Sequence, residues 1–230
     1  MKKIGMIGGM SWESTQVYYQ LMNQKVKEEL GGFHSCKCIL DSVDFAEIKK
    51  LQFDGDWETL DKLMAQSAAN LEKAGAELLI ICTNTMHLSV PEIERAVDIP
   101  VLHIAKATGE EIQKSGLSKV LLLGTRFTME KDLYHSYLKE NYGIEIMIPE
   151  EDDRELVHQI IYQELVQGKI TDSSRVEFQR IINKGQKQGA QGVILGCTEI
   201  PLLIKPHDVE IPVFDTTAIH STYAVKTAIN

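Results

Sequence analysis

The chain has 230 residues, 43% of them hydrophobic and 25% charged, with a formal net charge of −9. That is the composition of an ordinary soluble globular protein with length enough for one large or two small domains. No cluster of Lys and Arg stands out, which argues against a nucleic-acid partner, and no segment approaches the roughly 20 apolar residues of a membrane span.

The basic start, Met1-Lys2-Lys3, lacks an apolar region of signal length. The four cysteines, Cys36, Cys38, Cys82 and Cys197, include no C-x-x-C pair. In a chain this long they make no disulfide framework, so a reducing cytoplasm is the expected location. Cys36 and Cys38 fall in an extended apolar stretch, where they would share one face of a strand and serve packing. His34 is the only other metal-ligand type nearby, and no metal site is expected.

In chain order, residues 4–7 read as a strand and Gly8-Gly9-Met10-Ser11 as the loop after it. Ser11 can cap a helix over 12–29 that carries Val17, Tyr18, Leu21, Met22 and Val26 on one face. Residues 35–40 read as the next strand, followed by a connecting stretch through Leu51-Gln52. A helix over 57–74, capped by Asp56, turns Leu60, Leu63, Met64, Ala68 and Leu71 inward. Residues 78–82 are a Leu- and Ile-rich strand of the kind that helices cover on both faces. Ser89-Val90-Pro91-Glu92 has the form of a capping box with Pro just inside the helix, which leaves 83–87 as a loop. Residues 99–104 read as a strand. Beyond it come a strand at 119–125, a helix over 130–141, a strand over 144–148, helices over 154–167 and 175–188, and a strand over 193–196. Glu150-Glu151-Asp152-Asp153 reads as a solvated acidic helix start supported by the helix dipole.

Three stretches repeat in the same order. Gly75-Ala76-Glu77 through Thr85 resembles Gly189-Ala190-Gln191 through Glu199, which puts Thr83 opposite Cys197 and Cys82 opposite Gly196. Lys119–Thr125 resembles Lys3–Gly9, and Val97-Asp98-Ile99-Pro100-Val101 resembles Val209-Glu210-Ile211-Pro212-Val213. The chain therefore reads as a duplicated α/β protein: two pseudo-symmetric lobes, 1–98 plus 207–230 and 99–206, each a parallel sheet flanked by helices. Ligands bind open parallel sheets outside the carboxyl ends of the strands, so the active site is expected in a cleft between the lobes.

The loops at those strand ends suggest a chemistry. Thr83-Asn84-Thr85 and Cys197-Thr198 offer hydroxyl, amide and backbone N–H groups beside helix starts, enough to hold a carboxylate without Arg or Lys. With a net charge of −9, an anionic substrate would depend on such local donors. A thiol at such a position can have a depressed pKa. A small acid held between residues 83 and 197 could lose a proton from one face of a carbon and regain one on the other.

Three motifs carry a resemblance. Gly8-Gly9-Met10-Ser11-Trp12-Glu13-Ser14-Thr15, Thr83-Asn84-Thr85-Met86-His87 and Gly196-Cys197-Thr198-Glu199-Ile200-Pro201 resemble those of the aspartate/glutamate racemase family over nearly the whole chain. The resemblance implies an isomerase without cofactor or metal, in which two cysteines act as thiolate base and thiol acid on an amino acid's α-carbon. The family's first motif begins Cys-Asn-Thr; here Thr83 replaces that cysteine. Cys82 stands on the opposite strand face from Thr83, as a packing residue unless the register shifts. A threonine hydroxyl is a far weaker acid than a thiol of pKa about 8.5. The expected site is therefore asymmetric: Cys197 takes the α-proton of L-aspartate or L-glutamate and Thr83 assists reprotonation on the other face.

By the same resemblance Met10 and Ser11 touch the substrate, against the alternative of a plain turn with a helix cap. Asn84, Thr85 and Thr198 belong to the substrate-binding loops. Gln52 lies where relatives place a group for the distal carboxylate, against an exposed loop residue. Glu164 either faces the cleft or is a solvated helix carboxylate. Glu199 accepts from the substrate ammonium or orients Cys197, and His87 stands behind the site or is an ordinary buried histidine. The expected partner is a small acidic amino acid, with no nucleic acid or membrane, and a homodimer is allowed for. The competing readings are a malonate-type decarboxylase of the same fold and an inactive amino-acid-binding protein.

Overall fold

The computed structural model describes residues 1–230 and divides them into two compact units, Met1–His103 with His220–Asn230, and Ile104–Ile219.

In the first unit, β1 (Ile4–Gly8) leads into α1 (Trp12–Leu30), then β2 (Cys38–Ser42), α2 (Phe45–Asp54), α3 (Trp57–Lys73), β3 (Leu78–Ile81) and α4 (Val90–Ala96). The strands form a parallel sheet of order β2-β1-β3, extended by a single bridge from Leu79 to Val101. Alternation along β3 decides what lies on each face. Leu79 and Ile81 join a core with Ile7, Leu60, Met64, Leu71 and Met86. Leu78, Ile80 and Cys82 join another with Met6, Tyr18, Met22 and Val26.

Several boundaries differ from the sequence expectation, each for a local reason. The second strand is Cys38–Ser42 rather than 35–40, because the Cys36 N–H donates to Asn23 Oδ1 at 3.0 Å instead of entering the ladder. The connecting stretch through Leu51-Gln52 is the helix α2, whose start is capped by Asp44 accepting from Ala46 N. Residues 99–104 make one bridge only: Leu79 N donates to Pro100 O, Leu102 N to Leu79 O, and the chain turns helical at Ile104. Ser89 makes no side-chain cap, since residues 85–89 already form a 3-10 turn leading into α4.

The second unit holds α5 (Ile104–Lys114), β4 (Lys119–Gly124), α6 (Arg126–Glu130), α7 (His135–Tyr142), β5 (Glu145–Met147), α8 (Glu151–Gln163), α9 (Asp172–Lys187), β6 (Val193–Gly196), α10 (Ile200–Leu203) and β7 (Val213–Asp215). Helix α11 (Thr216–Ile229) begins in this unit and continues into the first from His220. The sheet is parallel, of order β5-β4-β6-β7. The expected helix over 130–141 is two short ones. Asp132 accepts from both the N–H and the hydroxyl of Ser136, at 2.8 and 2.6 Å, and so starts a new helix rather than continuing the old one. That break lets Tyr134 turn fully into the core. Helix α8 starts at Glu151 and stops at Gln163, where Glu164 leaves helical geometry. The acidic start is not wholly solvated: Asp153 is buried and paired with Arg180 and Lys184 at 2.7 and 3.0 Å.

Strand pairing repeats between the units. Ile7 faces Ile81 in one sheet, and Leu123 faces Leu195 in the other. Leu79 bridges Val101 while Pro100 O accepts its N–H, and Val193 pairs Val213 while Pro212 O accepts its N–H. The internal sequence repeat is thus a repeat of backbone register, and residues 83 and 197 each lie two places beyond paired equivalents. No helix is long and apolar enough to cross a membrane.

Candidate functional site

In the first unit, Thr83 opens the loop after β3, and the loop is fixed through its carbonyls. Ser14 Oγ, on the first turn of α1, donates to Cys82 O at 2.6 Å. His87 Nδ1 lies 2.8 Å from Thr83 O and 3.2 Å from Asn84 O. Carbonyls only accept, so Nδ1 carries the proton and Nε2 keeps the lone pair. That Nε2 is buried without a hydrogen-bond partner. Burial, and then the neighbouring His103 and His220, hold the His87 pKa well below the ordinary value. Burial likewise lowers His103 and His220 to about 4. His220 is fixed as well, with Nε2 donating to Leu102 O at 2.7 Å and Nδ1 accepting from Tyr18 Oη at 2.9 Å. The loop therefore rests on neutral imidazoles at pH 7.

The loop after β1 is held by Thr15, whose Oγ1 accepts from Gly9 N at 2.8 Å and donates to Ser11 O at 3.0 Å. Gly9 has φ +89°, and a Cβ there would strike the Val43 backbone, so glycine is required. Ser11 caps α1 by accepting from Ser14 N, and Met10 is buried in the same core as Met86. Gln52 is not an exposed loop residue: it is buried on α2 and its Nε2 donates to Met86 Sδ at 3.2 Å. Asn84 and Thr85 are buried and Thr83 is half-buried. Cys82 is fully buried on the other face of β3, and burial pushes its thiol pKa up.

In the second unit, Cys197 follows β6, and its Sγ donates to Glu199 Oε2 at 2.9 Å. Thr198 Oγ1 donates to the same oxygen at 2.8 Å. Burial first, then the Glu199 charge and hydrogen bond, push the Cys197 thiol well above its ordinary pKa. The depressed thiol expected from sequence is therefore not found: the thiol is protonated at rest, with a carboxylate aligned on its proton. Tyr162, on α8, sits close enough for Cys197 and Glu199 to help burial raise its phenol, and its ring lies 4.7 Å from His158. The Glu164 carboxylate accepts from Ser174 Oγ at 2.5 Å and Thr171 Oγ1 at 3.1 Å, tying the end of α8 to the start of α9.

Thr198 and Glu199 thus gather around Cys197, while Met10, Gln52 and the Thr83 loop meet around Met86. Glu164 stands in its own network. Ser14, Thr15 and Tyr162 also make contacts at these loops that were not expected from the sequence. Ser14 and Thr15 stood within a quoted motif but looked like helix-start residues, and Tyr162 belongs to a stretch, Ile161-Tyr162-Gln163-Glu164-Leu165, that resembles a family helix but in which only the Glu164 carboxylate stands out.

Two parallel α/β units with a thiol–carboxylate pair and a threonine at equivalent strand ends define a class, and comparison with known proteins gives its family. The profile of the Asp/Glu/hydantoin racemase family matches residues 7–224, and the chain belongs to that family. It is 52% identical to a candidate Asp/Glu racemase of Yersinia pestis, with all of both chains covered and a TM-score of 0.94. An aspartate racemase homologue from Pyrococcus horikoshii is 39% identical, also over all of both chains, with a TM-score of 0.88. The broad specificity amino-acid racemase RacX of Bacillus subtilis is 28% identical over 172 residues, 75% of this chain and 74% of that one.

Proposed function

We propose that the protein is a cofactor-independent amino-acid racemase acting on acidic amino acids in the cytoplasm, with a bias towards L-aspartate and L-glutamate. The observation that carries the reading is the short Cys197 Sγ–H to Glu199 hydrogen bond in one unit, with a threonine in the equivalent place of the other. Glu199 receives the thiol proton, and the Cys197 thiolate takes the α-proton from one face of the bound L enantiomer. The Thr83 hydroxyl returns a proton to the opposite face of the carbanion and is reprotonated from water. The reverse direction requires Thr83 to act as base. An alkoxide is so rarely available at neutral pH that the reaction from the D enantiomer runs slowly.

Ser11, Asn84, Thr85 and Thr198 supply the polar groups for the amino acid's own carboxylate and ammonium, and Met10 contacts it as part of the loop after β1. A buried amide at Gln52, in place of a basic group, makes a strict choice between aspartate and glutamate unnecessary. The test is a racemisation assay over a panel of L amino acids, with the parent protein and Cys197→Ser. The reading expects turnover highest for the acidic members and abolished in the variant. Turnover that survives the substitution, or none of any amino acid by the parent, would overturn it.

A further inference from the structure

The first unit leaves one sheet edge open. Strand β2 is the outer member of the order β2-β1-β3 and has no strand on its far side. Ile4 N donates to Lys37 O at 2.9 Å and Val43 N to Gly8 O at 3.0 Å, so the odd residues of this stretch turn their N–H and C=O groups towards β1. Those of Cys38, Leu40 and Ser42 therefore point out from the edge. The side chains alternate as well. Cys38 and Leu40 line a cavity of about 410 Å³ whose other apolar walls are Met6, Trp12 and Tyr19. Trp12, Tyr19 and Leu40 are 63%, 54% and 49% exposed. On the opposite face Ile39 packs against the core, flanked by Lys37 and Asp41, and Asp41 Oδ2 accepts from Asn70 Nδ2 at 3.5 Å. A free edge beside exposed aromatic rings is a surface that proteins normally cover.

We propose that this edge is the interface with a second copy of the chain, the two β2 strands pairing antiparallel about a two-fold axis at Ile39. The outward groups allow two registers. Centred on Ile39, Cys38 exchanges both hydrogen bonds with the partner's Leu40, and Leu40 with the partner's Cys38. Centred on Leu40, that residue exchanges them with its own counterpart. Charge decides between the two. Only the first register sets Lys37 of each copy opposite the partner's Asp41, twice per dimer; the second sets Lys37 opposite Val43 and Asp41 opposite Ile39. Opposite charges directly across a strand pair stabilise it. The same register lays each Leu40 beside the partner's Cys38, at the mouth of the partner's cavity, where Trp12 and Tyr19 lose water. At their exposures these two rings alone offer roughly 250 Å² on each copy, about a third of what a standard interface buries per partner. Leu40, the strand backbone and Gln16, Lys37, Asp41 and Ser42 add to it. The two sheets become one of six strands, and the closed two-fold leaves neither β2 edge open.

The test is sedimentation equilibrium of the full chain from about 1 to 100 μM at near-physiological salt. It compares the parent with Leu40→Lys, Lys37→Glu, Asp41→Lys and the double exchange Lys37→Glu/Asp41→Lys. The parent should sediment with twice the monomer mass at the upper concentrations. Leu40→Lys puts a charge between the strands and should be a monomer throughout, with the parent's far-ultraviolet circular dichroism. Each single charge reversal should raise the dissociation constant about tenfold, and the double exchange should return it to within about threefold of the parent. Within one copy residues 37 and 41 are about 13 Å apart along the strand, too far for a direct ion pair, so that restoration comes from across the axis. A parent that stays monomeric at about 100 μM would overturn the proposal. So would a dimer that Leu40→Lys leaves intact, or a double exchange no better than the single reversals. The charge variants decide the matter even if Leu40→Lys fails to fold. All of these measurements read mass and not turnover, so they stand apart from the proposed reaction.

Discussion

The loops after β3 and β6 are equivalent in backbone register and opposite in chemistry. After β3, the loop's carbonyls are tied to a neutral imidazole and a serine hydroxyl, and residue 83 is an alcohol. After β6, residue 197 is a thiol whose proton points at a buried carboxylate. Glu199 occupies the place that Thr85 occupies in the other loop. Equivalent strand ends thus carry one loop whose carbonyls are held by fixed, uncharged supports and another in which a thiol is hydrogen-bonded to a carboxylate. Uncharged supports suit the first loop, because a neutral group costs far less to bury than an ion.

The comparison can be broken at its strongest point first. Cys197→Ser replaces a thiol with a much weaker acid, and kcat for L-aspartate or L-glutamate should fall by at least about a thousandfold. Next, Glu199→Gln removes the proton acceptor and should lower kcat by about a hundredfold. The same change takes away a charge that raises the thiol pKa. Alkylation of Cys197 should therefore rise at lower pH in Glu199→Gln than in the parent, a shift that simple misfolding would not give. Thr83→Cys makes the two loops alike, and turnover of D substrates should rise about tenfold while L turnover changes little.

The scaffold side is sharpened by pH. The folded-state pKa values of His87, His103 and His220 are lowered, so the unfolded chain binds more protons once pH drops below about 6.5. Stability from these three is fully present above that pH and is lost as pH falls towards 4. The slope is at most about 1.4 kcal/mol per imidazole per pH unit. Thermal melts between pH 8 and pH 5 should show the loss, and His220→Gln should flatten it. The smallest effect belongs to Glu164→Gln. Its carboxylate serves Thr171 and Ser174, so KM should change less than twofold, about the scatter of such a measurement, while the melting temperature drops.

Much of this was legible in the sequence. Helix α3 and strands β3 and β6 showed in their periodicity and Leu/Ile content. The alternation along β3 alone separated Cys82 from Thr83, and the repeat predicted which residues would be equivalent. What stayed hidden was set by competition or by tertiary contact. Asp132 ends one helix by starting another, and Asn23 diverts Cys36 from the ladder. The buried setting that raises the Cys197 thiol, the Tyr162 contact and the Ser14 clamp bring together residues distant in sequence or burial that no local pattern encodes.

The most direct measurement of the asymmetry is exchange of the α-proton in heavy water, followed separately from each enantiomer of aspartate and glutamate. One thiol with one alcohol as its counterpart predicts rapid deuterium uptake from the L form and much slower uptake from the D form. Equal rates from the two enantiomers would contradict it.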